Sequence, residues 1–274
     1  MNYIRGFLMA WGYFTRIPCP YKKWKEEDRY AMLNMFPLTG LMAGALLGGV
    51  WFCLDWLEAG SLLTGVLLTC MYFFITGYIH LDGFMDCSDA LLSRRPDMEE
   101  RRRILKDSRV GAFAVISLVF MSMIFMASLV SMADGFSLKK AGLITAVLML
   151  SREFSAYDVI NKEPMEGSQY AETGKKRSRG MKGIPGMFIT YAAVIIIWAL
   201  FISEAGGGER ETLLSLAALA AAAAAERIVS WIGGRRARKQ LGGMSGDISG
   251  YMIVSGETAA LVTAALTWSF FFPA

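Results

Sequence analysis

The chain has a single histidine, His80, and four cysteines, Cys19, Cys53, Cys70 and Cys87, which form no C-x-x-C pair. Zinc centres need three or four Cys or His ligands at short spacings, so this composition all but excludes one. Two of the cysteines fall inside apolar runs, where a thiol usually serves as a small packing residue. Charge is also scarce, with Asp, Glu, Lys and Arg making up 19% of the chain. No G-x-x-x-x-G-K-[ST] pattern occurs, which excludes a P-loop. There is no internal repeat and no linker longer than about 30 residues. Residues 1–274 therefore read as one domain.

What is present is apolar surface. Hydrophobic residues make up 54% of the 274 positions, and the mean hydropathy is +0.40. Soluble domains average about 45–50% even with glycine counted. The apolar residues fall in runs at roughly 36–57, 61–79, 111–132, 141–160, 186–203, 212–232 and 251–272. Each is close to the ~20 residues that cross about 30 Å of hydrocarbon. The pattern predicts an all-α, polytopic integral membrane protein with about seven transmembrane helices. Arg152, Glu153 and Asp158 interrupt the fourth run, and Glu226 and Arg227 the sixth. Charges at such depths are expected to pair or to line a polar cavity. The alanine-rich stretch 217–225 suits close helix packing.

Basic residues set the orientation. The connections 1–35, 80–110, 161–185 and 233–250 hold 23 Lys and Arg, whereas the alternate connections hold three. This asymmetry predicts a cytoplasmic N-terminus and an external C-terminus. The outer connections are short, so the chemistry is expected in the cytoplasmic loops 80–110, 161–185 and 233–250. Near the start, the apolar stretch 6–14 lacks a cleavage pattern and predicts no cleaved targeting segment. It suits an interfacial position, with Trp11, Tyr13 and Phe14 at headgroup level.

The most informative stretch is His80-Leu-Asp-Gly-Phe-Met-Asp-Cys-Ser-Asp89. On a helix, Asp82, Asp86 and Asp89 fall at i, i+4 and i+7 on one face. A hydrated loop would tolerate them, but they lie directly after an apolar run, where unpaired charge is expensive. Carboxylates at this spacing, beside a basic cluster, suit Mg²⁺ shared with substrate phosphate oxygens. In Ser93–Arg109, the charges around Glu99–Arg103 suit a solvated helix starting near Pro96, with Glu99 and Arg103 as an i,i+4 pair. Lys106 and Arg109 enter the third apolar run and are placed to face a phosphate, with Asp107 as a further ligand or a base. Arg94 and Ser108 complete the expected substrate-binding set. His80 is read as either a proton carrier or a positioning residue, and the residues leave both open. The glycine-rich segment 242–250 suits a turn, or a backbone that approaches a phosphate closely. It places Asp247, and further on Glu257, within reach of the same side.

The segments FTRIPCP (14–20), PLTGLMAGALLG (37–48), IHLDGFMDCSDAL (79–91), ILKDSRVGAFAV (104–115) and GDISG (246–250) occur here in one order. Together they resemble the adenosylcobinamide-GDP ribazoletransferases, or cobalamin-5′-phosphate synthases, over residues 14 to about 257. Tyr78, Cys87-Ser88, Ala90 and the GDISG segment depart from the usual family pattern, but no carboxylate is lost. The resemblance implies a multi-pass enzyme of the bacterial cytoplasmic membrane whose active site faces the cytoplasm. It also implies that adenosylcobinamide-GDP is joined to α-ribazole or its 5′-phosphate, that GMP is released, and that Mg²⁺ is required. The combined expectation is that Asp82, Asp86, Asp89, Asp107 and Asp247 hold Mg²⁺, with Asp82, Asp86 and His80 catalytic. Membrane lipids are expected partners and nucleic acid is not, while homo-oligomerisation stays open.

Two other classes use similar residues. A CDP-alcohol-type phosphotransferase of lipid synthesis shares the metal logic, but its D-G-x₂-A-R-x₈-G-x₃-D-x₃-D spacing is absent. A transporter would carry its charges near the membrane midplane, whereas most of them here lie toward cytoplasmic ends.

Overall fold

The computed structural model describes residues 2–21, 23–170 and 208–272. The fifth apolar run, 186–203, and residues 171–185 of the third basic connection lie outside the described residues. The described chain is helical. It opens with α1 (Tyr3–Phe14), a 3₁₀ turn (Glu26–Asp28) and α2 (Arg29–Met35). Next come α3 (Pro37–Trp56), α4 (Ser61–Ile75), α5 (Ile79–Leu92), α6 (Met98–Leu105) and α7 (Ala112–Met132). The last three helices are α8 (Leu138–Asn161), α9 (Glu209–Leu241) and α10 (Gly246–Phe271). Among the described residues there is no strand, only one parallel bridge between Pro164 and Met244.

Among the described residues, four helices, α3, α7, α9 and α10, are long and apolar enough to cross a membrane, and α4 with α5 would make a fifth span if counted as one bent element. The second apolar run is therefore not a straight helix ending in the aspartates. Gly77 and Tyr78 both take left-handed backbone angles, with φ of +62° and +63°. They break the helix, and α5 leaves α4 at 89°. A residue with a Cβ rarely takes that conformation, so Tyr78 marks a turn held by its surroundings. After the turn, α5 packs against α7 and α10.

The fourth apolar run became α8, which falls short of the apolarity of a span because it sits in the centre of the protein. All its residues except Leu138, Tyr157 and Asn161 are buried. A helix buried all round can carry polar groups only if they are paired. At its N-terminal end Lys139 pairs with Glu211 and Lys140 with Asp134. Gly40 and Gly44 of α3, spaced as a small-xxx-small pair, let α3 lie directly against Leu148 and Thr145 of α8.

Of the charges inside the helices, Arg152, Asp158 and Arg227 pair with described residues, whereas Glu226 does not. Arg152 on α8 meets Glu257 on α10 at 2.6 Å, and Arg152 and Glu257 are each 1% exposed. Arg152 also donates to Tyr72 Oη at 3.0 Å, and Ser151 Oγ donates to Glu257 at 2.6 Å. Tyr72 donates to the same carboxylate. Glu257 therefore belongs to the core and does not reach the cleft, contrary to the expectation from its spacing to Asp247. Asp158 holds Arg238 at 3.0 Å and Arg227 at 3.5 Å. Glu226 is fully buried, and neither of its oxygens has a hydrogen-bond partner among the described residues.

Candidate active site

The site forms where α5 lies across the N-terminal ends of α7 and α10. Two glycines make this crossing close. A Cβ on Gly83 of α5 would lie 2.8 Å from the Cα of Asp247, and one on Gly250 of α10 would lie 2.8 Å from the carbonyl oxygen of His80. With no side chain at either point, the backbones of α5 and α10 nearly touch. A third contact involves Gly111, just before α7, whose missing Cβ leaves the space taken by the Asp89 carboxylate. Glycines thus connect the aspartate helix to both neighbouring motifs.

Two clefts flank α5 and share Asp82, Leu105 and Lys106. The smaller, about 350 Å³, contains Asp82, Asp86 and Asp89 on one side and Lys106, Asp107, Ser108 and Arg109 on the other. The three aspartates thus form one helical stripe, and it faces the basic segment. The larger, about 440 Å³, is lined by His80, Asp82, Lys106 and Asp247 together with Tyr13, Phe14, Gln169, Tyr170 and Ser249. Arg94 lies elsewhere: it is exposed on the turn after α5, with φ +54°, and lines neither cleft.

The carboxylates of Asp82, Asp86 and Asp89 make no ion pair or side-chain hydrogen bond with any described residue. Asp247 has only a long contact of 3.4 Å from Ser245 Oγ. Crowding shows in Asp86, whose pKa rises to about 6, first through burial and then through the charges of Asp82, Asp247 and Asp89. Asp107 differs. It accepts from Arg109 Nε at 3.0 Å, from Arg109 Nη2 at 2.7 Å and from the Arg109 backbone N–H at 3.0 Å. Those bonds hold its pKa down at about 2. Asp107 is therefore already neutralised by Arg109, whereas Lys106 makes no ion pair with a described residue.

These donors fit Mg²⁺ in kind, since hard carboxylate oxygens with unmet charge call for a hard cation. No three His, Cys, Asp or Glu side chains among the described residues converge into a metal-binding group. The set therefore suits an ion held by one or two carboxylates, with phosphate and water completing its shell. It does not form a preassembled five-carboxylate cage.

His80 is buried between Phe14, at 6.1 Å and nearly parallel, and Phe36, at 5.8 Å. Its Nε2 has no hydrogen-bond partner among the described residues. Burial, and next the Arg152 guanidinium, push its pKa well below the usual histidine value. Its imidazole is therefore neutral at physiological pH.

Several lining residues escaped the sequence reading. Tyr13 and Phe14 end α1, which packs on α2 through Gly6, where a Cβ would lie 2.6 Å from the Ala31 carbonyl carbon. They thus border the cleft rather than serving only at the membrane interface. Gln169 and Tyr170 sit over the site because residues 163–165 bridge to Met244, with N–H···O distances of 2.8 Å in both directions. Arg29 donates to the Gln169 carbonyl from the far side. The 233–250 connection is mostly helical, since α9 runs on to Leu241. Arg102 Nε donates to the Leu241 carbonyl at 2.8 Å and so satisfies one of its orphan end groups. That role turns Arg102 toward Glu99 at 3.0 Å, so the pair on α6 is i,i+3 rather than the expected Glu99–Arg103.

The long apolar helices are those of a helical membrane protein, and its acidic cleft faces Lys106. The chain matches the cobalamin-5-phosphate synthase family over residues 6–265 and belongs to it. It is 32% identical to an adenosylcobinamide-GDP ribazoletransferase of Clostridium botulinum, over 97% of this chain and 98% of that protein. Ribazoletransferases of Clostridium perfringens, at 32% over 95% and 97%, and of Brevibacillus brevis, at 30% over 97% and 99%, are also similar. No solved structure matches the chain.

Proposed function

We propose that the chain joins adenosylcobinamide-GDP to α-ribazole or its 5′-phosphate and releases GMP, closing the nucleotide loop of cobalamin. The observation that carries this reading is the Asp82–Asp86–Asp89 stripe facing Lys106 across one cleft, in a chain of the cobalamin-5-phosphate synthase family. A free ribose hydroxyl of the acceptor, one present in both α-ribazole and its 5′-phosphate, attacks the phosphorus attached to cobinamide. A new P–O bond forms, the bond to GMP breaks, and the proton of that hydroxyl leaves to a base or to water. Catalysis of this kind rests on positioning and on neutralising charge.

Asp82 and Asp86 would hold Mg²⁺ first, with Asp89 and Asp247 beside them. When bound, Mg²⁺ would neutralise the pyrophosphate and polarise the phosphorus. Asp107 acts mainly by orienting Arg109. Lys106 stands where the two clefts meet and binds the bridging phosphates, with Arg109 and Ser108 on the leaving-group side. Tyr13, Phe14 and Tyr170 offer aromatic walls in the larger cleft. The neutral His80 lies at its floor, where its free Nε2 can take the proton or hold the acceptor.

In the membrane, seven spans with a cytoplasmic N-terminus and a cytoplasmic active site are the best reading. The 23-to-3 distribution of basic residues supports it, as does the meeting of α5, the start of α7 and the start of α10 at one end of the bundle.

The test is GMP release from adenosylcobinamide-GDP in membranes containing the full chain, with and without Mg²⁺. Wild type is expected to turn over only with the metal, and Asp82→Ala to insert normally and be inactive. Full activity in Asp82→Ala would refute the site.

A further inference from the structure

α5 has a second face. Opposite the aspartates, Phe84, Ser88 and Leu91 border a groove of about 390 Å³ between α5, α7 and α10, with Arg236 of α9 at its edge. Its other wall is the outer side of α7, where Ile116, Phe120 and Ile124 are 50, 63 and 47% exposed. α7 is long and apolar enough to span a membrane, so this exposed face belongs against lipid tails. Phe84 stacks on Tyr251 at 5.6 Å and 10°, which gives the groove a flat aromatic base. Ser88 and Ser255 do not supply free donors, because each hydroxyl donates to a carbonyl one turn back in its own helix.

Arg236 is the exception in this apolar setting. It makes no ion pair with any described residue, in contrast to Arg238, which is bound to Asp158. Arg235 is also accounted for, with its guanidinium 5.5 Å over the Trp231 ring. A lone cation at the polar end of an apolar groove, beside a lipid-facing helix, is complementary to an anionic headgroup with its chain laid along the helix.

We propose that this groove binds one anionic phospholipid, with its phosphate on Arg236 and an acyl chain along Phe120 and Ile124, behind the aspartate helix. The bound lipid packs on Phe84 and Leu91 and so supports α5 from the side away from the active site. The inference rests on the groove and its charge alone and stands independently of the reaction assigned above.

The test is native mass spectrometry of the full-length protein in mild detergent, titrated with phosphatidylglycerol or with phosphatidylcholine of the same acyl chains. Wild type is expected to retain one phosphatidylglycerol at a concentration about fivefold lower than phosphatidylcholine, the discrimination one interfacial arginine supplies. Arg236→Gln should abolish that preference, and Arg235→Gln should keep it. Ser117→Trp, which fills the groove without touching a charge, should lose the retained lipid, and it tests the groove even if Arg236→Gln does not fold. Inorganic phosphate should fail to displace the lipid. Equal retention of the two lipids, an unchanged preference in Arg236→Gln, or displacement by phosphate alone would overturn the proposal. So would retention of no lipid by wild type, the result expected if another segment of the chain fills the groove.

Discussion

The carboxylate of Asp89 on α5 occupies the space where a side chain on Gly111, at the start of α7, would have to lie. At the other end of the site a Cβ on Gly83 of α5 would meet the backbone of Asp247, 2.8 Å from its Cα. The aspartate helix is therefore located by two places where a side chain is missing. Gly111→Ala and Gly83→Ala should each push α5 away from its neighbours. Displacing a reacting group by about 1 Å can lower a rate by roughly a hundredfold, so GMP release should fall by about that factor. Gly49→Ala, where an added Cβ meets nothing within 4 Å, should leave it unchanged. Both site variants should still appear in the membrane fraction, which separates misplacement from failure to insert.

Asp86 gives the site a pH dependence. Its pKa of about 6 in the folded protein lies above the ordinary value of 3.8. The sign follows from linkage: in the metal-free protein this group favours the fold below about pH 4, and that contribution is lost as the pH rises through about 6. A bound cation acts in the opposite sense, because it needs the ionised form. The Mg²⁺ concentration for half-maximal activity should therefore rise as the pH falls below about 6. Asp86→Asn should flatten that dependence while lowering turnover. Activity measured against Mg²⁺ at several pH values checks it, and a metal requirement that stays constant down to about pH 5 would count against Asp86 as a ligand.

The basic residues should not be equal. Lys106 lines both clefts and has no acidic partner among the described residues. Arg109 is 88% exposed in its side chain and is held by Asp107. Losing a charge-assisted hydrogen bond of about 1.5–3 kcal/mol corresponds to roughly 10- to 150-fold, so Lys106→Ala should lower kcat/KM by about that much. Arg109→Ala should do less, and Arg94→Ala should stay close to wild type because its side chain lines neither cleft. Steady-state kinetics with adenosylcobinamide-GDP as the varied substrate ranks the three. An Arg94 effect as large as that of Lys106 would contradict the placement.

Much of this site was legible in the residue spacing. The i, i+4, i+7 aspartates became a helical face, and the KDSR segment became the opposite wall, because both patterns are local and a helix fixes them. Depth was harder to read. Glu257 follows Asp247 on the same helix, yet Arg152 draws it into the core. The 89° turn at Gly77-Tyr78 rests on two left-handed residues, and a tyrosine gives no warning of that conformation. Gln169 and Tyr170 reach the site through pairing of residues 163–165 with Met244, a long-range contact that no periodicity announces. The four candidate spans among the described residues, by contrast, followed from length and apolarity, which need no tertiary information.

The Arg152–Glu257 pair is the most decisive check on the packing. It lies at the meeting of α8, α10 and α4, with Tyr72 donating to the carboxylate and receiving a bond from the guanidinium. Arg152 also lies 6.0 Å from the ring of Phe36, which packs on His80. Removing one member leaves the other buried and unpaired, which typically destabilises by about 3–5 kcal/mol. Glu257→Ala should therefore lower the thermal inactivation temperature of the detergent-solubilised protein more than any single change in the cleft. The double variant Arg152→Met with Glu257→Leu removes both charges and should recover most of that loss, because an apolar pair of similar volume is often neutral or better. Recovery of stability without recovery of GMP release would show that Arg152 also holds Phe36 and His80 in register. A Glu257→Ala variant as stable as wild type would mean that the two helices do not meet through this pair.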